Sequence, residues 1–348
     1  MKKLTSDFIH ICPDEKFIDS AISLFNEVDS NNHIFIIISK ERKLSYIKEK
    51  NIFILSPNRL ILFILKNRTK LRDKKIIIHS APRISKIITL LLHKKTSVIW
   101  IGFGFDYYCY NDIIHKKYKL NFHSLFLKRV DFFSPVIESE YSIVKNYEPK
   151  FSASLLSWNY DVVTDFFAKK PSVNGKNILL GNSATSTNNH SDALTKLSKS
   201  HLDKNRKIII PLSYGSNEYK ETILELISKT PLNIISLTYF MKASDYYEII
   251  CSCSHVIMNH DRQQAYGNIM ISLFIGAKVF LKKENPLYDH LVKCGFVIFP
   301  TEDINKEINL SIDEEIRKKN RDLIFTYFSR ETFLLRTKRF IESINAIK

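Results

Sequence analysis

The 348-residue chain carries 52 Lys and Arg against 36 Asp and Glu, a net charge of +16, with 45% hydrophobic and 25% charged residues and only 8 Gly. That balance excludes a disordered or fibrous chain and, at roughly 100 to 200 residues per domain, predicts two globular domains. The positive excess implies an anionic partner: nucleic acid, an acidic membrane or a phosphorylated ligand.

The apolar runs Leu60–Leu65 and Ile87–Leu92 end at Lys or His, far short of the ~20 residues that span a bilayer. Asp7, Pro13, Asp14 and Glu15 interrupt the N-terminal region before a signal-like apolar core can form, so a cytoplasmic protein is expected. The five cysteines, Cys12, Cys109, Cys251, Cys253 and Cys294, are scattered without paired zinc-site spacing. They read as reduced thiols, with no metal site.

Taken in chain order, short Ile-, Val- and Phe-rich runs alternate with longer segments of helical periodicity, as in βα units around a buried parallel sheet. Phe8–Cys12 reads as the first strand. Pro13, Asp14 and Glu15 then open a helix with Phe17, Ala21, Phe25 and Val28 on one face. Further strands are expected at His33–Ile38, Ile52–Leu55, Lys75–Ile78, Ser97–Ile101 and Asp131–Ser134. The polar, turn-rich stretch Phe166–Lys176 suits a linker. A second series follows at Asn177–Leu180, Lys207–Ile210, Asn233–Ser236, His255–Met258, Ala277–Leu281 and Gly295–Phe299. The expected plan is a Rossmann-like domain at 1–160, another at 161–330, and a helix at 331–348 that packs back on the first.

Residues 1–155 hold 26 basic and 15 acidic side chains, net +11, leaving +5 for the rest. Between Arg59 and Lys95 lie eleven basic residues against Asp73 alone, among them Arg59, Lys66, Arg68, Lys70, Arg72, Lys86, Lys94 and Lys95. Either these are solvated helix faces, or they adsorb onto an anionic leaflet with Leu60, Ile61, Phe63 and Ile64 wedging into its interface.

In open α/β sheets ligands bind beyond the carboxyl ends of the strands, so the residues after each strand carry the information. The loop Gly181–His190 is rich in small hydroxyl and amide residues that can cradle an anion, or else form a capped surface turn. It is neither a P-loop nor a dinucleotide fingerprint. Arg262, with Gln263 and Gln264, can bind phosphate oxygens bidentately, or pair with Asp261. In the first domain Gly102 and Gly104 allow close approach to a ligand. Asp106 after them is either a general base toward an acceptor hydroxyl or a helix cap, and His79 is the competing base.

The phrases Ile178–Ser183 with Asn188-Asn189-His190, Ile209–Gly215, Arg262-Gln263-Gln264 with Gly267, and Glu284-Asn285-Pro286, taken in this order, resemble the TDP-N-acetylfucosamine:lipid II N-acetylfucosaminyltransferases, glycosyltransferase family 56 (4-alpha-L-fucosyltransferase-like). Thinner matches lie at Ile78-His79 and at Trp100 with Gly104 and Asp106. The family's pattern has Gly after the two glutamines, where this chain has Ala265.

The resemblance implies a GT-B fold, two Rossmann-like domains facing across a cleft. It also implies transfer of a 4-acetamido-4,6-dideoxyhexose from a TDP-sugar to an undecaprenyl-diphosphate-linked saccharide, in surface-polysaccharide synthesis such as O-antigen or enterobacterial common antigen. The enzyme would sit on the anionic cytoplasmic face of the inner membrane and need neither metal nor cofactor. Carried over, Gly181, Asn182, Ser183, Asn189, Tyr214, Gly215, Arg262, Gln263, Gln264, Gly267 and Glu284 would surround the donor in the second domain. Asp106 or His79 would act in the acceptor-binding first domain, and Arg59, Lys66, Arg68, Lys70, Arg72, Lys94 and Lys95 would face the membrane. A UDP- or GDP-sugar donor is the alternative. Lys interleaved with aromatics at Tyr107–Lys119 gives a nucleic-acid reading some footing, but no nucleic-acid-binding signature accompanies it, so no nucleic-acid partner is expected.

Overall fold

The computed structural model describes residues 5–111, 117–160 and 164–346, so part of the Lys- and aromatic-rich Tyr107–Lys119 stretch lies outside the described residues. The chain divides into two compact units, Met1–Asp161 with Arg330–Lys348, and Val162–Ser329.

In the first unit the described strands are β1 (Phe8–Pro13), β2 (His33–Ile38), β3 (Ile52–Leu55), β4 (Lys75–His79), β5 (Ser97–Ile101), β6 (Phe132–Ser134) and β7 (Ser154–Leu155). They form one parallel sheet in the order β3-β2-β1-β4-β5-β6-β7. Alternate residues bury opposite faces, as the period of a strand requires. Ile9, Ile11, Ile76, Ile78, Val98 and Trp100 enter one core, and Phe8, Phe35, Ile37, Ile77, Ile99 and Ile101 the other. The second core is closed by the helices Ile18–Val28 and Arg330–Ala346, through Phe25, Phe340, Ile341 and Ile344. Trp158 Nε1 donates to Thr337 Oγ1 on the latter helix at 2.9 Å.

Into that second core three imidazoles intrude. His10 Nε2 lies 2.9 Å from His33 Nδ1, His10 Nδ1 lies 2.9 Å from His79 Nε2, and His79 Nδ1 lies 2.6 Å from the Tyr160 hydroxyl. Burial holds all three rings well below the ordinary histidine range, His33 at about 4 and His79 at about 3.

In the second unit the described strands are β8 (Asn177–Leu180), β9 (Ile208–Pro211), β10 (Ile234–Leu237), β11 (Cys253–Met258), β12 (Lys278–Leu281) and β13 (Phe299–Pro300). They run parallel in the order β10-β9-β8-β11-β12-β13. The helix Tyr266–Ile275 is buried along most of its length, which accounts for its uninterrupted apolar sequence.

The structure departs from the sequence reading at several elements. Phe17 is the exposed N-cap of its helix and not part of the buried face. The expected linker opens inside a helix, Thr164–Ala168, whose Phe167 packs on Phe274 and Phe166 on Tyr247. The last expected strand shrinks to Phe299–Pro300, and β7 was not anticipated, because two paired residues leave no periodic signature. Among the described residues no helix is long and apolar enough to cross a membrane.

One buried carboxylate makes the first unit sensitive to pH. Glu140 accepts from the Tyr107 hydroxyl at 2.5 Å and the Tyr108 hydroxyl at 2.6 Å. Burial raises its pKa to about 7 despite these bonds. A carboxyl that is more basic when folded stabilises the fold below its unfolded pKa, and that contribution is lost as pH rises through the folded value. Chemical denaturation of Glu140→Gln against wild type is therefore expected to show wild type losing on the order of 3 kcal/mol relative to the variant as pH rises from about 4.5 to about 7.

Candidate functional site

In each sheet the strand order reverses at one neighbouring pair, β1/β4 and β8/β11. At such a point the following loops turn away from each other and open a crevice at the carboxyl edge.

At β8/β11 two loops meet. Gly181 leaves β8 with φ +69, and a Cβ there would lie 2.5 Å from His190 Nε2 and 2.7 Å from Asn188 Oδ1, so only glycine fits. Buried Asn188 organises the loop: its Oδ1 accepts from the Asn182 N–H at 3.0 Å and faces His260 Nε2 at 2.8 Å, while its Nδ2 donates to Thr185 Oγ1 at 2.7 Å. Gln264 closes the cradle from the β11 side. Its Nε2 donates to Asn182 Oδ1 at 2.9 Å and Thr185 Oγ1 at 3.1 Å, and Thr187 Oγ1 donates to its Oε1 at 2.8 Å. Asn189 and Asn259 exchange amide-to-carbonyl bonds at 3.2 and 3.1 Å. The loop then enters a 3-10 turn, Ser186–Asn188, and Asn189 takes a left-handed conformation before the helix His190–Lys199.

Tyr214 and Gly215 join from the loop after β9. Asn182 Nδ2 donates to the Tyr214 hydroxyl at 2.6 Å, and the Ala184 N–H donates to the Tyr214 carbonyl at 2.7 Å. Gly215 has φ +117, and a Cβ there would meet the Ala184 carbonyl oxygen at 2.3 Å. Asp261, the partner weighed for Arg262, holds Lys282 at 2.6 Å. Arg262 Nη1 donates to the Gln263 carbonyl at 3.4 Å, and the Asn285 amide donates to the Arg262 carbonyl at 2.8 Å. The Arg262 charge acts on Tyr214, whose hydroxyl is pushed up by burial and drawn back by the bonds from Asn182 and Ser183 and by Arg262. His190 and His260, at about 4 and about 3 through burial, are neutral at physiological pH. The arrangement offers an anion one guanidinium and a set of hydroxyl and amide dipoles, while the carboxylates at its border, Asp192 and Asp261, are held by Asn259 and Lys196 and by Asn189 and Lys282. Gln263 is buried beside it, Gly267 lies in the following helix, and Glu284 is exposed.

Sequence reading passed over the aromatic pair Tyr239 and Phe240, which follow β10. They are 84% and 77% exposed, and the Phe240 ring stands 6.1 Å from that of Tyr214. Two adjacent aromatics at a strand end were the available signal.

In the first unit both nominated bases are occupied. Asp106 is 2% exposed. Its Oδ2 accepts from the Ala81 N–H at 2.9 Å and Trp100 Nε1 at 3.1 Å, and its Oδ1 from the Phe103 N–H at 3.0 Å. These bonds tie the loops after β4 and β5 together, so Asp106 is a positioning residue and not the base first read. His79 is sealed in the imidazole row. Gly102 serves packing and not ligand approach, since a Cβ would strike the Tyr107 ring at 2.6 Å.

The basic stretch is partly corrected. Lys86 is buried over the Phe126 ring, and Leu60, Phe63 and Ile64 face the core, so they cannot wedge into a membrane. Arg59, Lys66, Arg68, Lys70, Arg72, Lys94 and Lys95 are exposed. Leu62 and Leu65, 55% and 49% exposed, stand on the outer face of the helix Pro57–Asn67 with Arg59 and Lys66. His93 is held below its ordinary value by desolvation and then by the charges of Arg72, Arg68 and Lys94, which brings those residues together. Among the described residues no group of three or more His, Cys, Asp or Glu stands close enough to hold a metal ion.

The family model for 4-alpha-L-fucosyltransferase glycosyl transferase group 56 matches residues 15–337. Among solved structures, the N-terminal domain of Candida albicans trehalose-6-phosphate phosphatase superposes with TM-score 0.69 at 10% identity, covering 99% of this chain and 98% of that one. Anabaena HepE, solved with UDP and glucose, gives 0.68 at 8% identity with 98% and 99% covered. The lipopolysaccharide outer core galactosyltransferase WaaB gives 0.66 at 11% identity with 97% and 99% covered. These likenesses show the fold, GT-B.

Ala265 stands at φ +56 as the N-cap of the helix Tyr266–Ile275, where the resembling family's pattern has glycine. A left-handed non-glycine residue costs roughly 1–2 kcal/mol. Ala265→Gly is expected to raise unfolding free energy by about 1 kcal/mol, and Gly181→Ala to lower it by more than that, both read by chemical denaturation.

Proposed function

Because the chain belongs to the group 56 glycosyltransferases, we propose that it moves a 4-acetamido-4,6-dideoxyhexose, Fuc4NAc-like, from a TDP-sugar to an undecaprenyl-diphosphate-linked saccharide of a surface polysaccharide. The observation that carries the donor half is the polar cradle at β8/β11 with Arg262 as its cation. The donor diphosphate binds the Arg262 guanidinium and the hydroxyls and amides of Asn182, Ser183 and Thr185. As the sugar–phosphate bond breaks, charge develops on the departing diphosphate, and a preoriented guanidinium stabilises it without reorganising. The exposed ring faces of Tyr239 and Phe240, beside Tyr214, supply a stacking surface for the nucleobase.

The acceptor half rests on the first unit. Its exposed cations around His93, and the stripe of Arg59, Leu62, Leu65 and Lys66, suit the anionic face of the inner membrane. Each basic residue near such a surface contributes ~1 kcal/mol before screening, and the two leucines add apolar area. A UDP-sugar is the second reading for the donor, favoured by the UDP bound in the structurally similar HepE.

Thermal denaturation with TDP, UDP and GDP tests the donor. TDP is expected to raise Tm most; a larger shift with UDP would move the assignment to a UDP-sugar. Arg262→Ala should abolish most of the shift, and Tyr239→Ala with Phe240→Ala should weaken nucleotide binding by about 1–3 kcal/mol per stacked base. Sedimentation with vesicles containing anionic lipid should lose the protein when Arg68, Arg72 and Lys94 are changed to Glu. Leu62→Ser with Leu65→Ser should weaken binding even at low salt.

A further inference from the structure

The crevice of the first sheet lies at β1/β4, the counterpart of the point where the second sheet builds its cradle. Its two loops are Asp14–Phe17, after β1, and Ser80–Pro82, after β4. Three carboxylates crowd the first loop and the start of its helix, and two are already used. Asp14 accepts from the Ser45 and Tyr46 N–H groups at 2.6 and 3.2 Å. Asp19 accepts from the Lys48 and Glu49 N–H groups at 2.9 and 3.0 Å. Glu15 stands between them, exposed, with no side-chain hydrogen bond or salt bridge to any described residue.

Phe17, Phe103 and Tyr160 form an aromatic wall, with ring centroids 6.4, 5.8 and 5.1 Å apart pairwise. Across the reversal point Ser80 is held at φ +65, with its hydroxyl buried and unpartnered. Backbone held in so sparsely populated a region persists only where the surrounding structure enforces it, and such residues cluster at functional sites. Sugars present C–H faces to aromatic rings and hydroxyls to polar groups, and here the partly exposed rings of Phe17 and Phe103 and the exposed Glu15 carboxylate are those groups.

We propose that Glu15 is the general base of the transfer reaction and that Phe17 and Phe103 seat the acceptor saccharide beside it. The inference rests on the glycosyl-transfer reading above and adds the residue that completes it. The Glu15 carboxylate takes the proton of the acceptor hydroxyl. That oxygen bonds to the anomeric carbon of the donor sugar, the bond from that carbon to the diphosphate oxygen breaks, and the nucleoside diphosphate leaves with the electron pair. Partial desolvation raises the Glu15 pKa, with Lys16 opposing and Asp14 adding to the rise. This moves the carboxyl toward the neutral range, where a base is most effective. Asp106 acts here at one remove, holding the Phe103 loop in place through the Phe103 N–H.

The experiment measures transfer to the lipid-linked saccharide across pH, and nucleotide thermal shift, for wild type, Glu15→Gln and Phe103→Leu. Glu15→Gln is expected to lower kcat by about 100-fold or more while the nucleotide shift is unchanged, whereas turnover within about threefold of wild type overturns the assignment. Wild-type turnover should fall as pH drops through the Glu15 pKa, and this acid limb should flatten in Glu15→Gln; an unchanged limb also overturns it. Phe103→Leu should raise KM for the acceptor more than it lowers kcat. A protein that shifts with nucleotide but keeps full turnover in Glu15→Gln loses only the Glu15 assignment. A wild type that shifts with no nucleotide diphosphate and transfers nothing loses the transfer reading and this one with it.

Discussion

Parallel strands cannot be joined by tight hairpins; each must return to the same edge through a crossover before the next begins. Every strand in both sheets therefore ends at one edge, and every loop that can carry chemistry starts there. Within that edge the reversals at β1/β4 and β8/β11 part the loops on either side. The second unit fills its gap with a network centred on Asn188 and Gln264. The first leaves Glu15 and an aromatic wall in the equivalent place. The two units share a topology but not a sequence, and the polar residues stand where the topology opens.

The electrostatics of the second crevice follow from burial as much as from composition. His190 and His260 lie within the network, yet both are too buried to hold a proton near neutral pH. The nearby Lys282 is bound to Asp261. The cradle thus sets one guanidinium, Arg262, beside neutral hydroxyl, amide and imidazole dipoles, which avoids the cost of a cluster of desolvated cations.

Much of the fold was legible because the strands are uninterrupted apolar runs between polar residues. Ile52–Leu55, Ser97–Ile101 and Asn177–Leu180 were read to the residue. What sequence could not supply was orientation. The run Leu60–Leu65 is apolar all round, and only packing shows that Leu60, Phe63 and Ile64 turn inward while Leu62 and Leu65 turn out. Asp106 illustrates the same limit. A carboxylate after a glycine-bearing strand end reads alike whether it ties a loop or takes a proton from a substrate, and only the three donors aimed at it decide. The polar loop at Gly181 was legible since its composition departs so far from the rest of this Gly-poor chain. The loop holding Glu15 resembled any helix start, so its free carboxylate went unnoticed.

The row of His33, His10, His79 and Tyr160 has a consequence of its own. A neutral imidazole donates from one nitrogen and accepts at the other, so in a chain of such rings the placement of one proton dictates all the rest. If the Tyr160 hydroxyl donates to His79, then His79 must donate to His10 and His10 to His33, and the His33 N–H is left facing Asp29, 4.0 Å away at the end of the helix Ile18–Val28. If Tyr160 accepts, the whole series runs backwards. The core of the first unit therefore holds one binary choice, written across β2, β1 and β4, and the hydrogen-bonding character of the tyrosine in the aromatic wall cannot change without reversing every proton behind it.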